Sequence, residues 1–171
     1  MANSEIVLGI DPGFGRLGYG VIKKDNRGAW RALDYGCVET KPKSPLPERL
    51  VIIRDELVKV IKKYQPTLAG IEQLFFFNNA KTAMDVGQAR GVVILTMIDH
   101  KIPFVEFTPL QVKQGITGYG KAEKGQMQKM VAMLLGIKGK IKSDDAADAL
   151  AIAMCAGDSI GFMRKINKIK P

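Results

Sequence analysis

Residues 5–40 read EIVLGIDPGFGRLGYGVIKKDNRGAWRALDYGCVET, and the architecture follows from how that stretch divides. Ile6 to Ile10 is a short apolar run rich in β-branched residues, closed by the turn signal Asp11-Pro12-Gly13. Gly18 to Ile22 and Ala32 to Thr40 repeat the same composition, separated by a turn near Asn26-Arg27-Gly28. Three consecutive strands with short connections are predicted, paired as antiparallel neighbours.

Downstream the periodicity changes. Lys41 to Pro47 is a proline-punctuated loop, and then Leu46, Leu50, Ile53, Leu57, Ile61 and Tyr64 recur at spacings of three and four. That is the period of one helical face. Ser44 is the expected cap, Pro45 suits the first helical position, and Pro66 ends the helix. Thr67 to Ile71 reads as a short strand delivering Glu72 at its end. A second helix is predicted from Asn79 to about Asp99, started by Asn78 or Asn79, and Ile102 to Phe107 is the last strand. Leu110 to Gln114, Glu123 to Leu135 and Ser143 to Ala156 read as helices. The order describes an α/β fold built on a five-stranded sheet of mixed direction and flanked by helices. With 171 residues and 46% hydrophobic content the chain can fill one core, so a single domain over 1–171 is expected, with a short basic tail from about 158.

Composition narrows the function. No apolar run is long enough to span a bilayer, and the amino terminus lacks the features of a signal peptide. Cys37 and Cys155 have no metal-ligand spacing and read as reduced thiols, which points to the cytoplasm. The net charge is +9, with eight lysines against two glutamates between residues 101 and 143. Such a surface attracts polyanions, nucleic acid above all, although a solvated basic face has the same composition.

Four acids stand out. Asp11 follows an apolar strand and reads equally as a turn residue or a functional acid. Glu72 closes a strand, where a charge needs solvent or a partner. Asp145 and Asp148 lie three apart on one face of a helix that is otherwise apolar nearly all round. Asp144 and Asp145 suit the positive end of that helix, but Asp148 lies beyond its first turn, and a buried carboxylate needs a cation or a hydrogen-bonding partner. If the four converge, their repulsion calls for a counter-charge, and hard oxygen ligands suit Mg²⁺ or Mn²⁺ rather than zinc.

LGIDPGFGRLGYGVI around Asp11, IEQLFFFNNAKTAMDVGQARGV from Glu72, TPLQVKQGITGYGKAEKGQMQKMV and DAADALAIA occur in that order along nearly the whole chain. Together they closely resemble the RuvC family of bacterial Holliday-junction resolvases, within the ribonuclease-H-like superfamily. The resemblance implies a Mg²⁺-dependent endonuclease of recombination and repair, with two ions per active site and Mn²⁺ as a substitute. It implies a homodimer that nicks opposing strands of a four-way DNA junction symmetrically, leaving 5′-phosphate and 3′-hydroxyl ends. A branch-migration complex of RuvA and RuvB type is the implied partner. The catalytic and metal-binding positions fall on Asp11, Glu72, Asp145 and Asp148, with Asp145 either a ligand or a base that positions water. Asp144 lies outside the matched positions and stays a helix-terminus residue.

Further residues follow from the same motifs. Of Phe75, Phe76 and Phe77, register with the family motif makes Phe75 the expected base wedge, with Phe76 as its rival. Lys113 and Lys124 match positions with DNA-backbone or near-catalytic roles, while Lys121 is carried by local charge alone. Gly87 and Gly91 lie four apart in the second helix, extended by Met84 and Ile94, and fit close packing against either the core or a partner copy. Asp11-Pro12-Gly13 with Gly18-Tyr19-Gly20 also resembles phosphate-binding turns of actin-like ATPases and sugar kinases. Those proteins use two such domains, and no Walker-type lysine loop is present here. A non-catalytic junction-binding scaffold of the same fold would be favoured by loss of one of the four acids, and all are present.

Overall fold

Alternation along the first strands sets up two cores. The computed structural model describes residues 5–73, 80–120 and 123–169. Its strands are β1 (Ile6–Asp11), β2 (Arg16–Lys24), β3 (Trp30–Glu39), β4 (Leu68–Glu72) and β5 (Phe104–Phe107). They form one sheet in the order β3-β2-β1-β4-β5. β1, β2 and β3 pair antiparallel, as expected of segments joined by short turns, while β4 and β5 join in parallel to β1 and to each other. The parallel pairs need crossovers, which are α1 (Leu46–Tyr64) and α2 (Ala80–Asp99).

α1 and α2 cover one face of the sheet. Leu8, Ile10, Ala69 and Ile71 point there and pack with Ile53, Leu57 and Ile61 of α1 and Val93 and Met97 of α2. On the other face lie α3 (Pro109–Thr117), α4 (Lys124–Leu134) and α5 (Asp144–Ile169). Val7 and Leu68 point to this side and pack with Val131 of α4 and Leu150 and Ile152 of α5. Among the described residues no helix is long and apolar enough to cross a membrane.

Three local expectations are corrected. Pro45, with an extended ψ of 142°, caps α1, and the helix starts at Leu46 with no side-chain cap from Ser44. Pro47 then falls within the first turn, where its missing N–H leaves no bond unmade. At the other end Gln65 takes a left-handed φ of 50°, and its N–H bonds to Ile61 2.8 Å away, so Pro66 ends the helix as read. α5 does not stop at Ala156 but runs to Ile169, so the segment from 158 continues a helix. Gly157 is no stop signal here: a β-carbon on it would lie 2.5 Å from the Trp30 ring, and the neighbouring Asp158 accepts a 2.9 Å bond from the Trp30 indole. Asn78 and Asn79, expected to start α2, lie outside the described residues.

Candidate active site

Strand parity places the first two acids. Ile10 and Ile71 are partners in the parallel β1–β4 pair and both point to the α1/α2 core. One residue on, Asp11 and Glu72 therefore point to the opposite face, at the same end of adjacent strands. The two carboxyls are close enough for each to shift the other's protonation.

The second pair arrives on α5, which crosses that face at close range. A β-carbon at Gly9 would stand 1.9 Å from the Ala149 carbonyl oxygen, and one at Gly18 would stand 2.1 Å from that of Asp145. Gly20 and Gly70 give similar room to Leu150 and Ile152. Ala149, Ala153 and Ala156, all buried, supply the matching small side on the helix. Glycine within a strand marks such an approach of another backbone. Gly18 is the register partner of both Asp11 on β1 and Cys37 on β3, so the first turn of α5 is held beside the carboxyl end of β1.

The charge that collects there is poorly solvated. Burial, followed by the fields of Glu72, Asp148 and Asp145, pushes the Asp11 carboxyl up to about 8. Burial raises Glu72 as well, and burial with the nearby Asp144 and Asp145 raises Asp148 against the pull of Lys124. Like charges in a half-buried site favour a shared proton or a bound cation. Four carboxylates without histidine or thiolate ligands form a hard oxygen donor set of the kind that holds Mg²⁺ or Mn²⁺. Among the described residues no three Asp, Glu, His or Cys side chains are arranged to grip a single ion as they stand. The acids on α5 are turned instead toward protein cations. Asp145 accepts from Arg16 Nε at 2.9 Å, and Asp148 Oδ2 lies 3.7 Å from Lys124 Nζ.

Glu72, Asp148, Lys113 and Lys124 line a common cleft of about 180 Å³. Both lysines picked out by sequence thus stand beside the acids. The cleft is too small to enclose a nucleotide, so a polyanion would lie across it. A larger hollow of about 360 Å³, lined by Gly125, Lys129 and Ile141 among others, contains none of the four acids and offers no comparable chemistry. Phe75, Phe76, Phe77 and Lys121 lie outside the described residues.

Sequence reasoning missed three neighbours. Arg16 was not singled out, yet it bridges Asp145 and Glu39, the latter at 3.6 Å. Cys37, read as a plain core thiol, has its sulfur 3.7 Å from Asp145 Oδ2. Asp144 reaches Lys124 Nζ at 3.1 Å. Only the strand glycines carried a readable signal, as markers of where α5 would lie.

The second helix bears on the two readings left open for its glycines. A β-carbon on Gly87 or Gly91 would meet nothing within 4 Å, so packing inside the subunit does not account for them. The exposed apolar residues near them are Met84, Leu95 and Ile98, whereas Ile94 packs against the core.

The sequence profile described as crossover junction endodeoxyribonuclease RuvC matches residues 7–156. The crossover junction endodeoxyribonuclease RuvC of Caldicellulosiruptor saccharolyticus is 52% identical over 149 residues, covering 87% of this chain and 90% of that protein. Among solved structures, Thermus thermophilus RuvC in complex with a Holliday junction substrate superposes with a TM-score of 0.82 at 30% identity, covering 92% of this chain and 96% of that one. The yeast mitochondrial Holliday junction resolvase Ydc2, 17% identical, has a TM-score of 0.66 over 95% of this chain and 82% of its own, and shares the fold. The five-stranded mixed sheet with flanking helices is the ribonuclease-H-like architecture expected from the sequence.

Proposed function

Because the chain belongs to the RuvC family of crossover junction endodeoxyribonucleases, it is a nuclease of Holliday junctions in recombination and repair, and we propose that Asp11, Glu72, Asp145 and Asp148 form its catalytic centre. The observation that carries the assignment is the approach of two strand-end acids and two helix acids on one face of the sheet, with burial and mutual repulsion raising Asp11, Glu72 and Asp148 together.

The enzyme is metal-dependent. When bound, the metal, which we take as two Mg²⁺ per site with Mn²⁺ as a substitute, would supply Lewis acidity for activating water and stabilising the leaving oxygen. Asp11 and Glu72, at the ends of β1 and β4, and Asp148, on α5, would hold the metal. Asp145, between Arg16 and the cluster, serves as ligand or as the acceptor that orients the attacking water. Lys113 and Lys124 contact the phosphodiester backbone beside the cut, and Lys121 is assigned to DNA binding from local charge in the sequence. Such contacts position the strand without reading its sequence. Phe75 is the proposed wedge between bases. Hydrolysis leaves 5′-phosphate and 3′-hydroxyl ends.

Two copies joined through the exposed face of α2, with Met84, Gly87, Gly91, Leu95 and Ile98 at the contact, would place two such sites on opposing strands of a four-way junction. The dimer acts in the cytoplasm on junctions handled by a branch-migration complex of RuvA and RuvB type. The test is a synthetic four-way junction incubated with and without Mg²⁺, with linear duplex and a three-way branch as controls. Paired symmetric nicks that require the metal and the four-way branch are expected. Equal cutting of linear duplex, or cutting with all divalent ions chelated, would overturn the reading.

A further inference from the structure

Asp144 opens α5, and a carboxylate at a helix N-terminus is usually explained by the helix dipole alone. Here both of its oxygens are committed to another element. Oδ1 accepts a 2.7 Å bond from Gln128 Nε2, and Oδ2 lies 3.1 Å from Lys124 Nζ. Lys124 and Gln128 are four residues apart on α4, so Asp144 spans one turn of that helix. Gln128 is 8% exposed and its amide is fixed, which orients the carboxylate before Lys124 reaches it.

Lys124 has a reason to need such a partner. It is the first residue of α4, where a cation opposes the helix dipole; the first turn holds no acid, and Glu123 at the N-cap makes no side-chain capping bond. Its other neighbour is Asp148 Oδ2, farther away at 3.7 Å. With Asp148 as its only partner, the ammonium would collapse onto a member of the acid cluster and compete there with any other cation. With Asp144 it is held at the rim.

We propose that Asp144 is a positioning residue that holds the Lys124 ammonium at the edge of the acid cluster, available to a DNA phosphate and not neutralised by Asp148. The proposal rests on the DNA-facing role given to Lys124 above. Asp144 itself touches neither substrate nor metal in this scheme and acts through Lys124 alone.

The experiment compares the wild type with Asp144→Asn, Asp144→Glu, Lys124→Ala and the double variant Asp144→Asn/Lys124→Ala. Cleavage of a synthetic four-way junction is followed under single-turnover conditions at saturating Mg²⁺. Junction binding without metal is measured in parallel, and the Lys124 ε-methylene is observed by NMR in the metal-free protein carrying ¹³C-labelled lysine. Asparagine keeps an acceptor for Gln128 and a good helix start, so the exposed site tolerates it. An exposed ion pair has modest strength, so Asp144→Asn is expected to slow cleavage about three- to five-fold while junction affinity changes less than about two-fold. Asp144→Glu should recover most of the rate. In the Lys124→Ala background Asp144→Asn should have no further effect, the signature of action through one partner. The Lys124 signal should move to the position of solvated lysines in Asp144→Asn.

A further loss of rate in the Lys124→Ala background would overturn the proposal in favour of a structural role. So would an unchanged rate and an unchanged Lys124 signal in Asp144→Asn beside an impaired Lys124→Ala. Full activity of Lys124→Ala would remove the premise itself, and thereby separates failure of the Lys124 assignment from failure of the Asp144 proposal.

Discussion

Asp11 and Glu72 follow the paired Ile10 and Ile71 at the same end of the parallel strands β1 and β4, and the Glu72 charge helps raise the Asp11 carboxyl. Burial and the surrounding acids push the Asp11 carboxyl from its ordinary 3.8 up to about 8, so the metal-free native state keeps a proton that the unfolded chain releases. Stability from this source is fully present below pH 3.8 and is lost as pH rises toward about 8. Asp11→Asn should therefore melt higher than the wild type at pH 8 in a chelator, by roughly 2–6 °C, and show little difference near pH 4. Thermal melts at several pH values check this. Mg²⁺ should raise the wild-type midpoint at pH 8 and raise that of the variant less. A variant less stable than wild type at pH 8 would mean that the acids are not held against their repulsion.

Gly18 carries the second prediction. Its missing β-carbon would lie 2.1 Å from the Asp145 carbonyl oxygen, and backbone cannot swing aside as a side chain can. Gly18→Ala should push the first turn of α5 off the sheet, costing roughly 1–3 kcal/mol in denaturant unfolding and more in cleavage than in binding. Gly87→Ala, where a β-carbon meets nothing within 4 Å, is the control and should not destabilise the subunit.

The two glycine predictions also mark what was legible in the sequence. The strand order, the two crossover helices and the anomaly of Asp148 on an apolar helix could be read from local pattern, because period and burial are local properties. Asp11 and Glu72 gained weight from strand-end placement and from the family motifs. Arg16 and Cys37 could not be found that way. Their place beside Asp145 depends on the β2–β3 register and on how closely α5 lies against Gly18, which no spacing along the chain encodes. The pairing of Asp144 with Lys124 likewise joins residues from two helices, with opposite charges that look unrelated in sequence. The helix read to Ala156 in fact continues to Ile169, and Gly157 within it leaves room for the Trp30 ring, a contact between distant segments.

On α2, Leu95 and Ile98 are 58% and 59% exposed beside Gly87 and Gly91, a face that a lone subunit would leave in water. Leu95→Glu should shift the protein from dimer to monomer in sedimentation equilibrium and uncouple the two nicks on a junction. The isolated fold should keep its melting behaviour, because Leu95 lies outside both core clusters.

Lys113 shares the cleft with Glu72 and Asp148, and phosphate contact there predicts a salt effect. Lys113→Ala should weaken binding to all junction sequences alike and reduce the slope of log affinity against log salt by about 1 per site. An unaltered slope would place Lys113 away from the backbone.

The most direct test of the site is Asp148→Asn, since Asp148 joins the helix acids to the strand acids and its side chain is nearly the size of the replacement. Paired nicking of a four-way junction in Mg²⁺ and junction binding without metal are measured together on the folded variant. Cleavage should fall by more than about 100-fold while binding stays within about two-fold of the wild type. Cleavage at the wild-type rate would contradict the convergence of Asp11, Glu72, Asp145 and Asp148 on one catalytic centre.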